Sequence, residues 1–180
     1  MNNYKTVVLF CLVLLVSASG FSQDTNLSSK EGTTTLGLGM GLPYGGVGIR
    51  IGTNLSDGFN LFGSLGYQLA GVGYNLGLRK DFGNTSMTQF YMLAMYGTNA
   101  AIKIIDLSEY DKVYTGATVG AGVKVNSRRK EGNYWDFGLL LPFRSSSYER
   151  DFKAADNDPR VGEFVAPWPV LITVGYNFKL

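Results

Sequence analysis

The chain has 180 residues, enough for one ordinary domain, with 17% charged and 13% aromatic residues and 24 glycines, above the usual share of about 7%. Sixteen basic residues against fourteen acidic ones leave a net charge of +2, a near-balance that gives no support to nucleic-acid binding. There is no histidine and a single cysteine, which removes the ordinary bases of hydrolytic chemistry and the usual ligands of zinc or iron.

The N-terminus has the pattern of a secretory signal over residues 1–22. Lys5 supplies the positive charge, Val7 to Val16 the apolar core, and Ser17, Ala18, Ser19 and Gly20 the small residues before cleavage ahead of Gln23, with cleavage after Gly20 as the alternative. The apolar run is shorter than the roughly 20 residues of a spanning helix. Cys11 lies inside it, so the mature chain carries no cysteine and near-equal numbers of bases and acids. Residues 23–32 are polar and read as a flexible leader.

From residue 33 onward the chain alternates large apolar residues with glycine or small polar ones. Eight strands are predicted. The first, Thr34 to Leu42, puts Leu36, Leu38, Met40 and Leu42 on its apolar face, and the turn Pro43-Tyr44-Gly45 leads to Val47, Ile49 and Ile51 with Arg50 opposite. Asn54 to Gly58 is a turn. Leu61, Leu65, Tyr67 and Leu69 mark the third strand; Val72, Tyr74, Leu76 and Leu78 mark the fourth, opposite Gly73, Asn75, Gly77 and Arg79. A turn at Asp81 to Ser86 precedes a fifth strand, about Thr88 to Thr98, that is apolar at both parities, so its inner and outer faces stay open.

A polar connection, Asn99 to Lys112, leads to the sixth strand, with Val113 to Val125 at odd positions and Tyr114, Gly116, Thr118, Gly120, Gly122 and Lys124 between them. Ser127 to Asn133 is a basic turn. Trp135, Phe137, Leu139, Leu141 and Phe143 form the seventh strand's apolar face, with Asp136 and Gly138 opposite. Arg144 to Ala166 is the longest connection and reads as a charged, solvated loop; the last strand carries Val170, Ile172, Val174, Tyr176, Phe178 and Leu180.

A sheet whose second face carries glycine, alanine, serine and threonine in place of lysine and glutamate suits a closed antiparallel up-and-down transmembrane β-barrel of eight strands, spanning residues 33–180. Its apolar face then meets lipid. The alternation of long and short connections agrees, with every even-numbered turn short and both long loops on the outer side. Phe59, Phe82, Phe90, Trp135, Tyr176 and Phe178 are predicted for one interfacial aromatic belt; Tyr44, Tyr67, Tyr74, Tyr96, Phe143 and Trp168 for the other. Arg50, Arg79, Lys124 and Asp136 share the small-residue face and are expected to form an interior polar cluster in which Asp136 serves one or two of the bases.

With strand count, loop asymmetry and the terminal Tyr176-Asn177-Phe178-Lys179-Leu180, the chain resembles the small eight-stranded outer-membrane barrels of Gram-negative bacteria, of the OmpA transmembrane-domain and OmpX kind. Gln23 after the cleavage site resembles the leaders of the Bacteroidota. The family usually ends in Phe, whereas here Phe178 stands two places before Leu180. The resemblance implies an outer-membrane location, outer-membrane lipids and lipopolysaccharide as surroundings, and the outer-membrane assembly machinery as a partner in biogenesis.

The barrel enzymes similar in shape rely on histidine, so no catalytic, metal or cofactor site is assigned. Ser145-Ser146-Ser147 reads as loop. Asp156-Asn157-Asp158 and the group Asp106, Glu109, Asp111 match no calcium loop and read as solvated charge. Bridging of these acids through divalent cations to lipopolysaccharide phosphates, with Lys103, Lys112, Arg144 or Arg150 on the phosphates, is the alternative. The expected function is a non-enzymatic scaffold presenting Asn99–Lys112 and Arg144–Ala166 for surface or lipid interaction. A narrow anion-leaning channel lined by Arg50, Arg79 and Lys124, and a secreted lipocalin-like carrier of a small apolar ligand, are the competing readings.

Overall fold

A computed structural model describes residues 32–56, 58–83, 87–104, 107, 110–161 and 167–180. The segment read as a signal, 1–22, and all of the leader but Gly32 lie outside the described residues, as do Asp106 and Glu109. The strands are β1 (Thr34–Gly41), β2 (Gly46–Ser56), β3 (Phe59–Gln68), β4 (Gly71–Phe82), β5 (Thr88–Ile102), β6 (Lys112–Asn126), β7 (Tyr134–Pro142) and β8 (Leu171–Lys179). Each pairs antiparallel with its neighbour in sequence, and β8 pairs with β1 from Thr35↔Lys179 to Met40↔Val174, so the sheet closes into an eight-stranded barrel. Closure leaves no unpaired edge, which is the condition for a sheet to stand without a partner.

The side-chain parity follows the sequence pattern. Leu38, Met40, Val47, Ile49, Ile51, Leu65, Leu76, Leu139 and Ile172 point outward and are exposed, while Arg50, Arg79 and Asp136 are buried within the barrel. Among the described residues Lys80 is the one charge on the outward face of the strands, at a strand end with its ammonium 4.2 Å from the Phe59 ring centroid. The parity of β5 is settled: Phe90, Met92 and Tyr96 face out, while Tyr91, Leu93 and Met95 are buried inside. Their rungs explain the double apolar pattern, since Met95 lies opposite Gly77, Leu93 opposite Gly120 and Tyr91 opposite Gly122.

Several boundaries shift. β2 runs on to Ser56 through a bulge between Asn54 and Ser56, and β4 includes Asp81 and Phe82. β5 continues past a bulge at Thr98/Ala100 to Ile102, so Asn99, expected to open a loop, is buried, with its amide donating to Phe143 O (2.9 Å) and Ala117 O (3.2 Å).

The connection between β1 and β2 overturns two outward assignments. Leu42–Tyr44 forms one turn of 3-10 helix and folds into the barrel: Leu42 and Pro43 are buried and Tyr44 is fully so. Leu42 therefore does not extend the outward face of β1, and Tyr44 does not belong to an aromatic belt. Its hydroxyl finds partners in the polar interior, while the ring lies where the wall has no side chains. A Cβ on Gly39 would stand 2.7 Å from the ring, and one on Gly175 would overlap it. Gly45 closes the turn in the left-handed region (φ 69), its N–H donating to Leu42 O at 2.9 Å.

A second correction concerns residues 144–166. Ser146–Asp156 is a helix, α1, with Ser145 as its N-cap accepting from Tyr148 N at 3.3 Å. Ser145, Ser146 and Ser147 thus start a helix and do not form a solvated loop.

Candidate functional site

Two assemblies of functional side chains stand out, a polar core in the lumen and a cap at the end opposite the termini. The strands bring all four predicted interior residues, Arg50, Arg79, Lys124 and Asp136, to the inner face, and split them into two linked pairs. Asp136, on β7, is the hub. It accepts a close hydrogen bond from Arg50 Nη2, bonds from Tyr44 Oη at 2.9 and 3.0 Å to its two oxygens, and one from Asn177 Nδ2 at 3.2 Å. Arg79 Nη1 lies 3.6 Å away. Arg50 also donates to Asn177 Oδ1 at 2.8 Å.

The second pair turns on Asp81. Arg79 Nε stands 2.8 Å from its carboxylate, and Lys124 Nζ 3.3 Å from it. Lys124 therefore pairs with Asp81, although it lies across from Asp136 in the strand register. Tyr134 accepts from Arg79 Nη2 at 3.0 Å. Aromatic rings close the remaining faces: the Arg50 guanidinium lies 4.6 Å from the Tyr44 centroid and 5.5 Å from that of Phe62, and Arg79 lies 5.3 and 5.0 Å from Tyr91 and Tyr134. Charge, hydrogen bonds and ring quadrupoles jointly offset the cost of desolvating two guanidinium groups. Among the described residues of this cluster three bases, Arg50, Arg79 and Lys124, face two acids, Asp81 and Asp136, so the cluster carries a surplus of one positive charge.

Of the twelve residues predicted for aromatic belts, eleven lie on the outside. Trp135, Tyr176 and Phe178 cluster near the termini, with centroids 4.9 and 4.8 Å apart along the series. Phe82 and Phe90 are a cross-strand pair nearby, and Phe59 lies opposite Lys80. Tyr67, Tyr74, Tyr96, Phe143 and Trp168 are exposed towards the other end. Tyr44 is the exception already described.

The cap was hidden in what reads as two loops. Tyr148 and Phe152 of α1 pack with Ile102, Tyr114, Ala100, Ile104 and Tyr110, and the Tyr114 and Tyr148 rings meet edge to face at 5.3 Å. Asp151 on the same helix accepts from Tyr114 Oη at 2.9 Å and Lys112 Nζ at 3.1 Å. Lys103 pairs with Asp111 (2.6 Å), Arg160 with Asp158 (2.7 Å), and Tyr110 Oη donates to Asp158 at 2.7 Å.

These partners hold three carboxyls below the ordinary carboxylate range: Asp111 by the Lys103 hydrogen bond, Asp151 by Lys112 and Tyr114, and Asp158 most strongly by Arg160. Among the described residues no group of three acidic side chains gathers as a cation site. Arg144 Nη2 donates to Trp168 O at 2.7 Å and Arg150 lies 3.5 Å from Asp151.

Asp81, Tyr134 and Asn177 were legible by parity, lying two residues from Arg79, Asp136 and Gly175 on the same faces. The α1 signal was also present: Tyr148, Phe152 and Ala155 at spacings of four and three, behind a serine cap. Among the described residues, these features define an all-antiparallel closed barrel whose lumen is filled by the polar cluster and by a buried apolar one (Leu42, Phe62, Tyr91, Leu93, Met95 and Leu140), with a cap built on one helix. No protein-family model matches the chain, nor does any curated protein or solved structure.

Proposed function

We propose that the chain is an outer-membrane β-barrel protein, similar to the small OmpA and OmpX barrels of Gram-negative bacteria, that acts as a non-enzymatic scaffold. In this reading residues 1–22 direct export, the assembly machinery inserts the barrel, outer-membrane lipid and lipopolysaccharide surround it, and the cap built on α1 is offered outside the cell.

One observation carries the proposal: the barrel is inside-out relative to a soluble one. Its outward face is a ring of exposed leucine, isoleucine, valine and methionine flanked by aromatics, with Lys80 its one charge among the described residues, while Arg50, Arg79 and Asp136 are buried in the lumen. In water that face would be an apolar patch far larger than monomeric soluble proteins tolerate. In a bilayer it is the required surface, and the 8 to 15 residues of each strand compare with the roughly 9–11 that a tilted strand needs to cross.

A lipocalin-like carrier needs the reverse arrangement, an apolar cavity within. The interior here holds Arg50, Arg79, Asp81, Asp136 and Asn177, and its apolar residues Leu42, Phe62, Tyr91, Leu93, Met95 and Leu140 pack against one another. The channel reading loses support from Tyr44 and Leu42, which fill the lumen, and from Asp81, which reduces the surplus charge.

Fractionation of cells producing the full chain tests the proposal. The expected result is an outer-membrane protein whose gel band shifts on heating, cut by protease on intact cells only between Arg144 and Ala166. Recovery in the soluble fraction would overturn it, and cutting at Ser127–Asn133 of intact cells would invert the orientation.

A further inference from the structure

The outward surface is not uniform. β6 carries small residues where its neighbours carry large ones: on successive outward rungs Val123 lies between Phe90 and Phe137, and Ala121 between Met92 and Leu139. The result is an apolar groove of about 620 Å³ over β6, closed at its sides by Phe82 and Ile172.

The same strand runs into the turn Ser127–Asn133, which presents Arg128, Arg129 and Lys130, all exposed, against the single Glu131. None of the three cations forms an ion pair with another described residue. Ser127 Oγ accepts from the N–H groups of Arg129 (3.3 Å) and Lys130 (3.4 Å), and Arg128 Nε contacts Met87 Sδ at 3.4 Å, so the turn is held in place over the strand end. At the opposite end most cations are engaged, Lys103, Lys112 and Arg160 by Asp111, Asp151 and Asp158, while Arg144 meets the Trp168 carbonyl and Lys153 forms no ion pair with another described residue. From Ala121 to Ser127 is six residues, about 20 Å along a strand. Tilted by about 45°, that is roughly 14 Å of depth, within one half of a hydrocarbon core of about 30 Å.

We propose that the β6 groove and the Ser127–Asn133 turn together bind one anionic glycerophospholipid of the leaflet on the side of the termini. An acyl chain lies in the groove against Ala121 and Val123, and the phosphate is met by Arg128, Arg129 and Lys130. This inference rests on the membrane reading above. A single arginine or lysine near an anionic surface contributes about 1 kcal/mol, equivalent to about fivefold in association.

The test reconstitutes the full-length barrel into phosphatidylcholine vesicles carrying a trace of spin-labelled phosphatidylglycerol or spin-labelled phosphatidylcholine, and reads the motionally restricted fraction of each. The expected result is an association of phosphatidylglycerol at least about fivefold above that of phosphatidylcholine. The preference should disappear in the triple variant R128Q/R129Q/K130Q, and fall in Ala121→Phe, which fills the groove without touching a charge. Heat-shifted migration on gels checks that each variant is folded.

Equal association of the two lipids with the native barrel overturns the inference while leaving the membrane reading intact. A barrel that does not enter vesicles at all fails at the earlier step. Loss of preference in the triple variant but full preference in Ala121→Phe reduces the effect to diffuse electrostatics and overturns the groove. A dimer that Ala121→Phe dissociates, without lipid preference, assigns the groove to a second copy and overturns it likewise.

Discussion

Replacing Asp136 by alanine removes the acceptor shared by Arg50, Tyr44 and Asn177 and the second counter-charge of Arg79. Asp136 is only 1% exposed, and the side chain of Arg50 4%, so the site is shut off from bulk water. Arg50 keeps the Asn177 carbonyl alone, at 2.8 Å, and Arg79 keeps Asp81. Removing one partner of a buried ion pair costs about 3–5 kcal/mol, mostly as the penalty for the charge left behind. Because the loss comes from the stranded cation, the double replacement of Arg50 by methionine and Asp136 by leucine should recover most of it. Urea titration of the barrel in detergent micelles, followed by the heat-shifted gel band, gives all three stabilities. An Asp136→Ala barrel within about 0.5 kcal/mol of native, or a double variant no better than the single one, would refute the claim that the lumen is held by this pair.

Gly175→Ala places a methyl group into the Tyr44 ring and should cost about 1–3 kcal/mol by the same titration. Tyr44→Phe keeps the ring and removes the donor to Asp136, for about 1–3 kcal/mol by the same titration. Ser145→Ala should lower the stability of α1 by about 1 kcal/mol and speed tryptic cutting at Arg150 and Lys153 within the helix. The lowered carboxyls of Asp111, Asp151 and Asp158 mean that their contribution to the cap is complete above the unfolded carboxyl pKa of about 3.9 and is lost as pH falls through their lower folded values. Hydrogen exchange in the cap should therefore be flat from neutrality down to about pH 5, after correction for intrinsic rates, and accelerate below about pH 4.

Strand number, order and the parity of every strand but β5 were legible because one face of each is apolar and the other small, so a slip of one residue would turn every side chain to the wrong side; β5, apolar on both faces, left its parity open. Closure follows from that pattern together with short turns. What the pattern does not carry is the path of a turn. Pro43-Tyr44-Gly45 announces a change of direction, while the folding of that turn into the lumen depends on Asp136, 92 residues away, and on glycines of two strands that make room for a ring. The interior cluster was half legible. Arg50, Arg79, Lys124 and Asp136 followed from parity, but Asp81 was masked by its neighbourhood of turn formers, so the acid that serves Lys124 was not among the expected interior residues. The helix α1 was obscured by charge: its apolar side is three residues wide, and its neighbours suggest solvent until Tyr114 and Ile102 are seen to wait for it.

The central claim is that the outward face of this barrel meets lipid. A nitroxide on Leu76→Cys or Leu139→Cys, with Cys11 absent from the processed or substituted chain, reads this directly in vesicles. Both sites lie mid-strand and are more than half exposed. Dissolved oxygen should broaden or relax these labels strongly, and a water-soluble nickel chelate should not reach them. Labels open to the chelate, on a barrel shown by its gel shift to be folded, would contradict the account.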